Sequence, residues 1–267
     1  MKESIKFDDG ELLLSDSERK YRAPALEKGL DILELLARCG GAMTTSQMAV
    51  TLGRSVSELF RMVLALEYRG YIAQNNDGKD GYILTNKLFT LGIAQGSVKT
   101  LLEAALPAMK ELSRYLGQSC HLVVPSGSQV AVVARFESPM DLGFSLRVGY
   151  RRNLIDTNSG ALLYGFAPSD VKTEWLKQLS YGIESSRTEQ FLRSTSVATE
   201  QGFIRAESDY VEGVMDYCVP IRGRHGAVAV LVVPFIAIKS QSWTSEQILS
   251  RLMDTCAQIS DILVDEG

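Results

Sequence analysis

Thr44–Ile72 reads TTSQMAVTLGRSVSELFRMVLALEYRGYI and divides into two short helices around the turn Leu52-Gly53-Arg54. Each helix opens on a capping-box pattern, Thr44 with Gln47 and Ser55 with Glu58, in which a hydroxyl and a carboxyl or amide exchange hydrogen bonds with two orphan backbone N–H groups. In the second helix Leu59, Met62, Val63 and Leu66 fall at helical spacing and form one apolar stripe for a core. Arg54, Ser57, Glu58 and Arg61 take the other face, the kinds of side chain that reach base edges and phosphates in a major groove. Tyr71-Ile72-Ala73-Gln74 and Gly81-Tyr82-Ile83-Leu84 then read as a hairpin around Asn75–Asp80. A hairpin straight after a recognition helix is a wing. The candidate DNA contacts are Thr45, Arg54, Ser55, Ser57 and Arg61, with Lys79 in the wing. For Glu58 the capping role alone accounts for the residue without any DNA contact.

Upstream, Leu26, Leu30, Leu33 and Leu36 or Ala37 make a helical stripe ending at Gly40-Gly41, which completes a three-helix core, while residues 1–21 read as a disordered tail. Downstream, Asn86–Gln95 and Val98–Leu116 read as apolar helices, the latter with Leu101, Leu102, Ala105, Leu106, Met109, Leu112 and Leu116 inward, kinked or restarted at Pro107 and ended by Gly117. That segment suits an ordinary core helix and a connector between two domains equally well. From Cys120 the pattern turns to strands, at Cys120–Val124, Val130–Phe136 and Leu142–Val148. Helices follow at about Asn158–Phe166, Ser169–Leu179 and Thr188–Gln201, then strands Val214–Ile221 and Ala227–Pro234, and a last helix Thr244–Leu263 opened by Thr244 and Gln247. Antiparallel strands with helices to one side predict an α+β domain.

At 267 residues the chain has room for two domains, and 45% hydrophobic with 22% charged residues is an ordinary globular balance. No run is long enough to span a membrane and the polar, acidic N-terminus is unlike a signal peptide, so a cytoplasmic protein is predicted. Cys39, Cys120, Cys218 and Cys256 show no paired spacing and the two histidines, His121 and His225, have no partner at metal-ligand spacing. Reduced thiols, no metal and no cofactor are expected. No phosphate loop, nucleophile elbow or zinc-protease motif occurs, and two histidines leave general-base chemistry to carboxylates such as Asp156 and Asp216, which argues against an enzyme. The net charge of −4 excludes a nonspecific nucleic-acid coat. Residues 22–95 carry eight basic and seven acidic side chains, so one copy attracts phosphate weakly and several copies must act together.

Several further segments strengthen the picture when taken in order: Ala25-Leu26-Glu27-Lys28-Gly29-Leu30, Met43–Ala49, Arg61–Tyr71, Tyr82–Gly92, Arg135–Pro139, Val148–Arg152 and Cys218–Arg222. In this order and spacing the chain resembles the isocitrate-lyase-regulator (IclR) family of bacterial transcription factors, from Pro24 to about Leu263. The resemblance implies a winged helix-turn-helix over 22–85, a linker helix over 86–97, and a GAF-like domain over 98–267 that binds an effector and oligomerises. It further implies double-stranded operator DNA and a small organic effector as partners, a homodimer that pairs into a homotetramer, and often control of a catabolic operon. A constitutive DNA-binding repressor whose C-terminal domain only oligomerises is the alternative. Family effectors, small acids, are held at the start of a helix, which here falls at Asn158, Ser159 and Gly160, and by groups on the closing strands, where Ala206, Asp216, Val232 and Pro234 stand. With Asp156 and Asp216 both in the pocket a carboxylate ligand would be repelled, so a neutral, hydroxylated or cationic effector with an apolar body is expected. Alternatively, Asp156 is only the N-cap of that helix and Asp216 points to solvent. Val56 and Glu58 also depart from the usual recognition helix, so the target sequence does not carry over.

Overall fold

The computed structural model describes residues 23–75, 80–93, 96–179, 184–238 and 243–265. The expected tail over 1–21 and Lys79 of the wing lie outside them. The chain divides into two compact units between Lys99 and Thr100.

In the N-terminal unit, α1 (Pro24–Cys39), α2 (Thr45–Thr51) and α3 (Val56–Tyr68) precede the hairpin of β1 (Ile72–Gln74) and β2 (Tyr82–Leu84), paired antiparallel as Ile72↔Leu84. Both capping boxes form: Thr44 Oγ1 accepts from the Gln47 N–H at 3.2 Å, and Gln47 Oε1 accepts from the Thr44 N–H at 2.8 Å. Leu59 and Val63 of α3 are buried against Ile32, Leu33, Leu36 and Met48, with Met62 and Leu66 at the edge of that core. The α1 stripe is rotated from the expected one. Leu26 and Leu30 are 63% and 48% exposed, whereas Ile32 and Leu35 join Leu33 and Leu36 inside. A leucine-rich helix offers two adjacent apolar faces, and which one is buried depends on where α3 lies rather than on the spacing of α1 itself. Gly81 closes the hairpin at φ +130, where an added Cβ would stand 2.5 Å from the Met43 carbonyl carbon. Helix α4 (Lys87–Ile93) follows, its Lys87 ammonium donating to the Arg69 carbonyl and lying 4.7 Å from the centre of the Tyr71 ring.

The C-terminal unit is built on one antiparallel sheet of six strands, in the order β5-β4-β3-β8-β7-β6. The strands are β3 (Cys120–Ser126), β4 (Gln129–Phe136), β5 (Arg151–Asn153), β6 (Ile204–Glu207), β7 (Met215–Gly223) and β8 (Gly226–Phe235). Helices cover both faces rather than one. Leu122, Tyr217, Val219, Leu231 and Val233 pack beneath α5 (Gly96–Leu116) and α9 (Ser245–Asp265). The alternate residues Val123, Val130, Val132, Cys218 and Val232 pack against α6 (Asn158–Gly165), α7 (Ser169–Leu179) and α8 (Ser185–Gln201). That is why β7 and β8 read as continuous apolar runs: a strand buried on both sides has no polar face to show.

Three further expectations change. Residues 142–148 form no strand, because only Leu146 reaches the core while Leu142 and Val148 stay exposed; the sheet edge is β5 instead. The other edge, β6, is a four-residue strand with two charged side chains, too short and polar to announce itself. Helix α5 passes through Pro107 as one element, and Leu106, expected inside, is exposed.

Candidate functional site

Two places collect the candidate residues, one in each unit. On α3, Ser55 caps the helix: its Oγ accepts from the Glu58 N–H at 3.3 Å while Glu58 accepts from the Ser55 N–H at 3.0 Å. Lys28 reaches from α1 to donate to the same carboxylate at 2.9 Å. That ammonium, followed by the Ser55 backbone and hydroxyl, holds the Glu58 carboxyl down at about 2. Glu58 is thus fastened to its own unit, as capping alone predicts. Arg54 turns back to Asp31 of α1 at 3.1 Å. Ser57 and Arg61 are exposed one helical turn apart, Thr45 is half-buried in the first turn of α2, and Ser55 Oγ also lies 3.1 Å from Ser57 Oγ. Phe60 and Leu64 are exposed beside Arg61. The sequence reading passed over them, although an exposed aromatic on such a helix suits a thymine methyl group.

In the C-terminal unit, period-two alternation brings His121 of β3, Val232 of β8 and Asp216 and Cys218 of β7 to one face of the sheet. Register completes the row, since His121 and Cys218 both pair with Val232 on its two sides. The start of α6 and the β6–β7 connection close over them. Together they bound a cavity of about 10 Å³, the room of roughly one water molecule. Val123, Val130, Val132 and Leu146 form its apolar wall, buried Thr157 lines it at the start of α6, and Tyr150, Asp209 and Tyr210 stand at its outer side.

Of the expected effector residues, Asn158, Ser159, Asp216 and Val232 meet in this cavity. Asp156 and Gly160 do not line it. Asp156 lies in the 3-10 turn Leu154–Asp156 and pairs with Arg187 of α8. The helix cap is Thr157, whose Oγ1 accepts from the Gly160 N–H at 3.0 Å. Gly160 has a packing reason to be glycine: an added Cβ would stand 2.0 Å from the Leu154 carbonyl oxygen. Ala206 and Pro234 flank Asp216 in the ladder without lining the cavity.

The carboxylate that does join Asp216 is Asp209, which the sequence reading missed. Its Oδ2 accepts from the Asn158 N–H at 2.7 Å, at the positive end of α6. Arg152 donates to the Asp209 carbonyl oxygen at 2.9 Å and lies 4.8 Å from the centre of the Tyr210 ring, and Tyr210 meets Tyr150 edge-on at 5.5 Å. Burial raises the pKa of Asp209 despite the Asn158 N–H that favours its charge. Asp216, only 4% exposed, is pushed up to about 6, first by burial and then by Asp209, against the hydrogen bonds of Ser208 and Asn158. His121, also 4% exposed, is held down at about 4 by burial and is therefore a neutral imidazole, with a buried Nδ1 that has no hydrogen-bond partner. Burial, then Asp216, keeps Cys218 a thiol. Among the described residues no group of three or more His, Cys, Asp or Glu is placed to hold a metal ion, and no helix is long and apolar enough to cross a membrane.

Comparison with known proteins follows the same two-part division. The IclR helix-turn-helix domain matches residues 25–76, and the bacterial transcriptional regulator IclR C-terminal domain matches residues 96–261. The HTH-type transcriptional regulator KdgR of Escherichia coli is 27% identical over 215 residues, 77% of this chain and 80% of that protein. The HTH-type transcriptional repressor AllR of the same organism is 23% identical over 248 residues, 90% of each. Among solved structures, an IclR homolog from Microbacterium hydrocarbonoxydans complexed with 4-hydroxybenzoate superposes with a TM-score of 0.73 at 21% identity, covering 90% of this chain and 98% of that one.

Proposed function

We propose, from the premise that this chain belongs to the IclR family of bacterial transcriptional regulators, that its affinity for operator DNA is set by a small organic molecule held in the cavity between the sheet and α6. The family is one of regulators, not enzymes, and the chain is a DNA-binding transcriptional regulator. The effector response is our reading. The observation that carries it is His121, which lines a cavity together with two carboxylates and whose buried imidazole Nδ1 has no hydrogen-bond partner. A domain that only oligomerised would gain nothing from leaving such groups desolvated, since an unpaired buried polar atom costs about 1–3 kcal/mol. The solved relative complexed with 4-hydroxybenzoate supports an effector role for this fold.

On this reading the N-terminal unit reads DNA through Ser57 and Arg61, the C-terminal unit holds the effector and joins copies, and the protein acts as a homodimer or homotetramer on a catabolic operon. A near-neutral DNA-reading unit binds weakly alone, and linkage of copies raises its effective concentration. The test is operator binding by the full chain with and without compounds that raise its thermal stability, because a ligand of the folded state must stabilise it. A stabilising compound should also change operator affinity. Constant operator affinity across every stabilising compound would leave a constitutive regulator. In the same assay Arg61→Ala should lose about 1–3 kcal/mol at one base position if it reads a base, or lose affinity on every sequence with a shallower salt dependence if it holds a phosphate.

A further inference from the structure

The polar side of the cavity is unbalanced in charge. Asp209 reaches it from the β6–β7 connection and Asp216 from β7, and Asp156 lies near enough to act on Asp209. Against these three carboxylates stand Arg152 of β5, close to Asp209, and Arg187 of α8, paired with Asp156. His121 on β3 is neutral, as are Tyr210 and the Cys218 thiol. One negative charge is left over. The place where a helix start would receive an anion is already filled, by the Asp209 carboxylate on the Asn158 N–H at 2.7 Å. An anionic ligand would have to evict that internal carboxylate and still face Asp216.

His121 supplies an independent indication of a ligand. The residue lines the cavity, and its Nδ1 is buried and has no partner in the protein. In a neutral imidazole that nitrogen can be a bare acceptor, suited to an N–H donor. The void of about 10 Å³ matches one water molecule, and an ammonium head is of that size. The adjoining wall is Val123, Val130, Val132 and Val232, with no polar side chain among them.

We propose that the cavity takes the ammonium head of a small organic monocation between Asp209 and Asp216, with its carbon body against the valine wall. The inference rests on the effector-responsive reading above and names the class of effector. A carbon body needs more room than the void offers, so binding must loosen the rim where Tyr210 meets Tyr150 and Arg152. Two side-chain contacts of Tyr210, with Tyr150 and with Arg152, would have to give.

The test uses two isosteric sets on the full chain by calorimetry: butylammonium, butanol and butyrate, then benzylammonium, benzyl alcohol and benzoate. At pH above the Asp216 titration near 6, each ammonium should bind at least about tenfold more tightly than its alcohol, since a charge-assisted hydrogen bond exceeds a neutral one. The carboxylates should bind least. Ammonium affinity should fall as the pH drops through about 6, because protonating Asp216 removes the counter-charge. Asp216→Asn and Asp209→Asn should each cost the ammonium about tenfold and leave the alcohol unchanged, with circular dichroism verifying the fold. A carboxylate that binds as well as its ammonium, an Asp216→Asn variant with unchanged preference, or no binding by any of the six up to about 10 mM would overturn the proposal. Operator binding separates the two readings. Ammonium binding without any change in DNA affinity removes the effector role but keeps the cation site, whereas a carboxylate that alters DNA affinity keeps the role and removes the cation.

Discussion

Helices α3 and α6 both begin on a hydroxyl cap and both set a carboxylate against their first N–H groups, yet the carboxylates come from very different places. At α3 the cap is Ser55 and the carboxylate is Glu58, three residues on, with Lys28 as an outside brace. At α6 the cap is Thr157 and the carboxylate is Asp209, fifty-one residues from the Asn158 N–H that donates to it. The first arrangement is exposed, and its cap closes within one helical turn. The second is half inside the protein and forms only when the sheet has assembled. It ties the start of a helix to a connection at the rim of a cavity. A local cap is fixed by one turn of backbone, whereas a distant one depends on how elements far apart in sequence pack together.

The strongest way to sharpen this contrast is Gly160→Ala. A methyl group 2.0 Å from the Leu154 carbonyl oxygen meets backbone that cannot step aside, and overpacking of this kind should cost about 3 kcal/mol or more. The melting transition of the C-terminal unit should fall while that of the N-terminal unit stays put. A normal melt would show that α6 has room to shift.

Next comes the pH behaviour of Asp216, whose ionisation moves from its ordinary value of 3.8 to about 6 in the fold. Because the folded value is the higher one, the stabilising contribution is full below about 4 and is lost as the pH rises through 6. Asp216→Asn, which carries no charge to desolvate, should therefore match the wild type in acid and exceed it by roughly 3 kcal/mol at neutral pH. Denaturant melts at the two ends of that range provide the measurement. Glu58 runs the other way: its carboxyl is held at about 2, below the ordinary 4.5, so its contribution is present above 4.5 and fades as the pH falls through 2. Equal stability of Asp216→Asn and wild type at every pH would mean that the Asp216 carboxylate is not desolvated.

The smallest effects distinguish the caps themselves. Ser55→Ala should cost about 1 kcal/mol, the usual value of an exposed cap. Thr157→Ala should cost about 2 kcal/mol, because it leaves the N–H of Gly160 without its partner in a buried turn. Chemical denaturation of the two variants compares them directly, and equal losses would erase the distinction between a surface cap and a buried one.

The sequence alone determined whatever is settled within a turn or along a single strand. Ser55 with Glu58, Thr44 with Gln47 and Thr244 with Gln247 are partners three residues apart, and all three pairs form as the spacing demands. The core face of α3, the β1–β2 hairpin and the long apolar strands β7 and β8 belong to the same class. In the cavity, Asn158, Ser159, Asp216 and Val232 were reached through the family resemblance, the first two as a helix start and the others as positions on the closing strands. His121 could have been found by alternation, as a polar residue on the inward face of an apolar strand, but a search for metal ligands looks for neighbours in sequence and passes it by. Only the tertiary structure decided the rest. Nothing in the chain near Asp156 says that it will pair with Arg187, nor does anything near Asn158 call for Asp209, because these distances are set by how α6, α8 and the β6–β7 connection pack on the sheet. The same holds for α1, where Leu26 and Leu30 lie outside and Ile32 and Leu35 inside. Hydrogen bonds that close within four residues are fixed by backbone geometry, whereas the choice of buried face and of charged partner is made by the element that packs against it.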